Sequence, residues 1–216
     1  PVEIEFAVDL QTPDGNPVFY LLQIRPIVDT KDPSGPDLSD YREEDSLIYA
    51  PSALGNGVIN DLYDVVYVRP DAFKASLTRD MARDIEKVND KLQKEGRPYI
   101  LIGPGRWGSQ DPWLGIPVRW GQIAGARTIV EMGLENYHVE PSQGTHFFQN
   151  VTSLRVGYLT INPAIGEGHI RMDILDSQPA EEETDFVRHV RFTQPITTML
   201  DGKNSKGIVT FEKNNA

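Results

Sequence analysis

The sequence contains no cysteine among its 216 residues. That absence excludes disulfides, thiolate metal ligands and a cysteine nucleophile, and it leaves the cellular compartment open. Positive charge is scarce, with 21 Lys and Arg against 32 Asp and Glu, a formal net charge of −11. Such a chain lacks the cationic surface that neutralises phosphate, so DNA, RNA and anionic membranes are poor partners. No apolar run approaches the ~20 residues that span a bilayer. His-Glu-x-x-His and Gly-x-Ser-x-Gly are both missing, which removes a helical zinc-protease site and a serine-nucleophile elbow. Internal repeats and low-complexity tracts are absent. The chain opens on Pro1 with no methionine and no leader pattern. The simplest expectation from that start is an excerpt of a longer protein.

What remains is an ordinary globular composition. Hydrophobic residues make up 39% and charged residues 25%, as in typical soluble domains. The length is enough to bury a sizeable core.

Residues 2–26 read as a β-hairpin. Ile4, Phe6 and Val8 alternate with Glu5, Ala7 and Asp9. After the turn residues Pro13-Asp14-Gly15-Asn16, Val18, Tyr20, Leu22 and Ile24 alternate with Phe19, Leu21, Gln23 and Arg25. Period-two alternation gives each strand one apolar and one more polar face. Bringing both apolar rows to one face requires paired positions with an even sum, hence an odd-length loop. That register also gathers Glu5, Gln23 and Arg25 on the opposite face.

Residues 28–45 are acidic and broken by Pro33, Gly35 and Pro36, which predicts a linker. Beyond it, strands are expected at 47–49, 65–68, 99–102, around Val118, at 128–130, 155–161, 169–175, 187–192 and 208–211. Met81, Ile85, Val88 and Leu92 define one face of a helix over 78–95, with Thr78 as N-cap and Gly96 and Pro98 as stops. Ser142 is a candidate cap for a short helix, and Glu181-Glu182-Glu183 is expected to be a solvated loop. The fold class is therefore α+β (mixed α/β), with more strand than helix.

Gly103-Pro104-Gly105-Arg106-Trp107-Gly108-Ser109 follows the strand at 99–102 and matches G-x-G-x-x-G. A dinucleotide site needs a helix directly after that loop, because the pyrophosphate sits on its N-terminus. Pro112, Gly115, Pro117, Gly121 and Gly125 forbid one. A P-loop fails too, since no lysine follows Gly108. Two roles remain open: a structural turn packing Trp107, or an anion nest built from Gly103, Gly105, Arg106, Gly108 and Ser109. His138, His146, His169 and His189 have no metal-ligand spacing. His146 is the candidate general acid or base, with a hydrogen-bonded structural histidine as the alternative.

The hairpin offers the most chemistry. A carboxylate can hold Mg²⁺ against a nucleotide phosphate, and a guanidinium suits a transferring phosphoryl group. Ile4-Glu5-Phe6-Ala7-Val8-Asp9 with Phe19-Tyr20-Leu21-Leu22-Gln23-Ile24-Arg25-Pro26 resembles the end of an ATP-grasp nucleotide-binding domain. The similar domain is that of phosphoenolpyruvate synthase and pyruvate phosphate dikinase. That family ends the domain with an Ile-Glu-Trp/Phe-Ala strand and a Leu-Gln-x-Arg-Pro strand. The resemblance covers about 25 residues. It implies ATP- and metal-facing roles for Glu5, Gln23 and Arg25, with Glu5 as the Mg²⁺ ligand. The family's Thr-x-Gly-Gly-x-x-x-His loop does not occur here.

The resemblance divides the chain into residues 1–27, the end of an ATP-grasp domain, an acidic linker at 28–45, and a C-terminal α/β domain at 46–216. It implies a cytoplasmic ATP-dependent phosphotransferase using ATP and Mg²⁺, to which this chain gives one edge of the site. These residues alone are then expected neither to hold ATP tightly nor to turn over. The expected partners are the remainder of a parent chain and a second copy pairing through the hairpin edge. No nucleic acid or membrane partner is expected. A non-catalytic binding or regulatory module in residues 46–216 is the alternative.

Overall fold

A computed structural model describes residues 2–12, 15–26, 35–39, 41–135, 138–140, 150–151 and 153–211. Two separate β-structures dominate it. Among the described residues, strands β1 (Val2–Asp9) and β2 (Val18–Pro26) pair only with each other. The second structure is a ten-stranded mixed sheet.

That sheet contains β3 (Ile48–Ala50), β4 (Ser52–Leu54), β5 (Gly57–Val68), β6 (Tyr99–Pro104), β9 (Ala126–Met132) and β10 (Gly157–Ile161). It also contains β11 (His169–Ile170), β12 (Ala180–Glu183), β13 (Val187–Asp201) and β14 (Lys206–Phe211). Two short strands, β7 (Arg106–Trp107) and β8 (Gly115–Ile116), pair separately and parallel. The order is β11-β3-β14-β13-β5-β6-β9-β10-β4, with β12 on β13. Only Pro51 separates β3, which pairs with β14, from β4, which pairs with β10. The ladder therefore returns to its own start, and the sheet closes as a barrel. Proline cannot donate to a ladder, so the strand changes partners at that residue.

The curvature has identifiable sources. β13 and β5 are the longest strands, with 15 and 12 residues. Their pairing is interrupted between Arg191 and Ile196 and again between Ile196 and Thr198. Asp61 adds a left-handed residue within β5 at φ 60°. Such bulges bend and twist a strand pair.

Strands β5, β6, β9 and β10 run parallel. All six residues of β6 are buried, as expected for a parallel strand covered on both faces. One face points into the barrel, where Val65, Tyr67, Ile100, Ile102, Val130 and Leu159 pack together. The other lies beneath helix α1 (Thr78–Lys94), whose Met81, Ile85, Val88 and Leu92 meet Val66, Leu101 and Ile129. A second helix, α2 (Met172–Ser177), adds Leu175 to the inner core. The chain is thus α+β, strand-rich, with one main helix.

Several sequence expectations need correction. Leu77, not Thr78, is the N-cap of α1; Thr78 is its first residue and donates its hydroxyl to the Ala75 carbonyl at 3.1 Å. The strand expected at 169–175 stops at Ile170 and gives way to α2. Residues 117–119, around Val118, are not strand. Glu181-Glu182-Glu183 is part of β12 rather than a loop, because it pairs antiparallel with β13; Arg188 and Arg69 offset the charge of Glu183, Lys91 that of Glu182, and Arg191 that of Glu181. Within the stretch read as a linker, Leu38 and Tyr41 pack against Met199 and Ile208. Among the described residues, no helix is long and apolar enough to cross a membrane.

Candidate functional site

The hairpin register sets Glu5 directly opposite Gln23 and Glu3 opposite Arg25. Directly opposed residues share a face, so the carboxylate and the amide lie side by side. Arg25 lies two residues beyond Gln23 on β2; its side chain is outside the described residues. Around Glu5 the paired positions have the even sum that the sequence predicts. A bulge between Glu5 and Phe6 then shifts the register, so that Phe6 pairs with Leu21 and Val8 with Phe19. The single apolar face therefore does not extend to the turn. The eight residues between the strands, 10–17, form an even-length loop, which the bulge accommodates. Phe6 instead stacks on Phe19 with ring centroids 5.0 Å apart.

The Gly103–Ser109 segment lies at the carboxyl end of β6, next to the end of β9. The amides of Gly105, Arg106, Trp107 and Gly108 are committed to protein acceptors. Gly105 donates to the Met132 carbonyl, Arg106 to Leu114 and Gly108 to Ile116. Trp107 donates its amide to Glu131 Oε1 at 2.9 Å and its indole N–H to the Val130 carbonyl at 3.0 Å. The Trp107 ring lies where a Cβ on Gly103 would sit, and the Arg106 backbone lies where one on Gly115 would sit. An anion at this loop would therefore rely on the Arg106 guanidinium rather than on a nest of N–H groups. Arg106 itself donates Nε to the Glu140 carbonyl at 3.1 Å, and its guanidinium lies 3.6 Å from the Glu140 carboxylate. Ser109 Oγ is tied into a turn with Asp111. His146 and Ser142 lie outside the described residues. The other histidines are dispersed: His138 lies 3.5 Å from Glu167, and His169 lies 3.3 Å from Glu43.

Two buried polar clusters escaped the sequence reading. In the first, Glu131 at the end of β9 accepts the Trp107 amide and the Tyr158 hydroxyl. It fastens the glycine-rich loop to the parallel strands. In the second, Asp64 of β5 accepts from His189 Nε2 and Arg191 Nε, each at 2.7 Å to one oxygen. Arg97 Nε donates to the other oxygen, also at 2.7 Å. Burial alone would raise the Asp64 pKa, but the hydrogen bonds from His189, Arg191 and Arg97 outweigh it and hold the carboxyl below its ordinary value. Arg191 also reaches Glu95 at 3.0 Å. A signal for this cluster was present in Asp64 preceding the apolar run 65–68, and in His189 and Arg191 at strand spacing.

Among the described residues, no three acidic or imidazole side chains converge as a metal site. Comparisons with protein-family models, curated proteins and solved structures find no match to this chain.

Proposed function

We propose that the hairpin supplies one edge of an ATP–Mg²⁺ site in an ATP-dependent phosphotransferase resembling phosphoenolpyruvate synthase and pyruvate phosphate dikinase. The observation that carries this reading is the direct pairing of Glu5 with Gln23 in a two-stranded sheet whose side chains are largely exposed among the described residues. Hard oxygen donors on one face fit Mg²⁺, which takes few protein ligands and completes its shell with phosphate oxygens and water. Glu5 would hold the metal and Gln23 would line the nucleotide. Arg25, two residues further along β2, would bring positive charge to the phosphates. One edge cannot enclose a nucleotide, so the remaining walls come from a protein surface that covers the hairpin face.

The reading is tested by calorimetry with Mg-ATP. This chain alone is expected to show no micromolar binding, whereas the intact phosphotransferase binds and loses affinity at least tenfold on Glu5→Gln or Arg25→Ala. Micromolar binding by this chain alone, or unchanged binding in the variants, overturns it.

A second reading concerns residues 46–216, which we read as a non-catalytic binding or regulatory module. Arg106 and Ser109 favour it, since each is engaged by its own neighbour and the two do not share a partner. Unchanged phosphoryl transfer in an Arg106→Ala variant of the intact protein supports it. Loss of turnover with retained folding overturns it.

A further inference from the structure

We infer that His169 is a proton-operated clasp: its doubly protonated ring fastens the turn Glu43–Asp45 to β11 of the barrel, and loss of a proton loosens it. The inference goes beyond the nucleotide reading and does not depend on it. It begins from charge. Glu43, Glu44 and Asp45 are three consecutive acids in one 3-10 turn, and neighbouring like charges repel. Arg42 answers two of them, at 2.8 Å from Glu44 and from Asp45. Among the described residues, the basic group at ion-pair distance from Glu43 is the His169 ring, 3.3 Å away through Nδ1.

The second ring nitrogen decides which protonation state fits. His169 Nε2 lies 3.2 Å from the Ser46 carbonyl oxygen. A neutral imidazole has one donor and one acceptor nitrogen, whereas the imidazolium has two donors. A carboxylate and a carbonyl only accept, so the imidazolium alone satisfies both. The Ser46 hydroxyl stands 3.5 Å from the same nitrogen, yet it donates to the Glu43 carbonyl at 2.7 Å. The Ser46 amide donates to that carbonyl as well, at 3.2 Å, and the two bonds close the turn. When the ring is neutral with its N–H on Glu43, Nε2 becomes an acceptor and competes for the Ser46 hydroxyl. The turn then gives up one of its closing bonds.

The remaining groups around the ring do not supply these bonds. Tyr49 of β3 stacks on it, with ring centroids 6.3 Å apart. Glu44 and Arg171 line the same cleft of about 350 Å³, and each is paired elsewhere, Glu44 with Arg42 and Arg171 with Asp173. The cleft gives the ring access to solvent, and its side chain is 23% exposed. No other described histidine has this arrangement: His138 faces the Glu167 carboxylate through one nitrogen, and His189 has a buried Nδ1 without a partner. Histidine changes charge between about pH 5 and 8, so the clasp is closed at the acid end of that range and loosens towards the alkaline end.

NMR of the whole chain across about pH 5–8 tests the clasp. The amides of Glu44, Asp45, Ser46 and Leu47 are expected to shift along one curve that coincides with the titration of the His169 ring signals. Ring nitrogen shifts are expected to show both nitrogens protonated at the acid end. Hydrogen-exchange protection of the Ser46 amide, corrected for the intrinsic pH dependence of exchange, is expected to be about two- to fivefold greater there, the size of an exposed ion pair. His169→Gln and Glu43→Gln are each expected to flatten the amide curve, with circular dichroism confirming a folded barrel. Glu43 is more than half exposed, so Glu43→Gln carries the test if His169→Gln does not fold. His138→Gln is expected to leave the curve unchanged. Amides that stay still while the ring titrates overturn the proposal. A curve that persists in folded Glu43→Gln assigns the response to another group and overturns it as well.

Discussion

The hairpin and the barrel are both antiparallel-rich and both rely on alternating strands, yet one leaves its apolar side chains in solvent while the other buries them. Leu159 and Val130 are fully buried inside the barrel, whereas Leu22 and Ile24 of β2 are 59% and 57% exposed. Composition does not separate the two regions. Closure does. The barrel ladder returns to itself through Pro51, so each residue has neighbours on both sides and α1 outside. The hairpin ends after two strands, and no layer among the described residues covers it.

That contrast can be broken experimentally, beginning with the barrel's most deeply paired charge. Asp64→Ala leaves His189, Arg97 and Arg191 facing a buried gap, and a loss of about 3–5 kcal/mol is expected in chemical denaturation. Leu159→Ala empties the middle of the barrel, and about 2–5 kcal/mol should be lost. If either variant melts like the wild type, the barrel core is not the stabilising unit. Glu131→Leu strands the Trp107 amide and the Tyr158 hydroxyl, at about 1–3 kcal/mol for each unpaired donor. Intrinsic Trp fluorescence follows the release of the loop.

A smaller, graded effect follows from acid. The Asp64 carboxyl titrates below its unfolded value of 3.8. Its contribution is therefore complete above that value and falls away as pH drops through the lower folded pKa. Denaturation midpoints measured from about pH 6 to about pH 2 should show that decline, and Asp64→Asn should remove this part of it. The smallest effect is expected in the hairpin. Phe19→Ser should alter barrel stability by no more than about 0.5 kcal/mol. A larger loss would mean that the two regions are energetically one.

Much of the fold was legible because local pattern and final burial agree. Met81, Ile85, Val88 and Leu92 read as a helical face and pack on the sheet. Tyr99–Ile102 reads as a strand buried on both faces and forms the centre of β6. The misreadings occur where partners distant in sequence decide. Glu181–Glu183 looks like a solvated loop until β13 pairs with it and Arg69, Lys91, Arg188 and Arg191 arrive from three other places. Met172–Ser177 reads as the continuation of a strand, but β11 ends after its short pairing with β3. For the candidate site, the alternation predicts Glu5 beside Gln23, and the pairing agrees. It does not predict the bulge at the next residue. The Gly103–Ser109 match to a dinucleotide fingerprint fails on the glycines and prolines that follow. The fate of its amides depended on Glu131, Leu114, Ile116 and Met132.

The sequence by itself determined the helix, the strand-rich character, the acidic surface and the absence of any cysteine chemistry, because each is a property of composition or of a short periodic window. Tertiary structure alone decided that the large sheet closes, that Asp64 and Glu131 are buried with their donors, and that the hairpin stands apart. Those outcomes are contacts between residues dozens of positions apart. Their free energy comes from desolvation and hydrogen bonding that no local window contains.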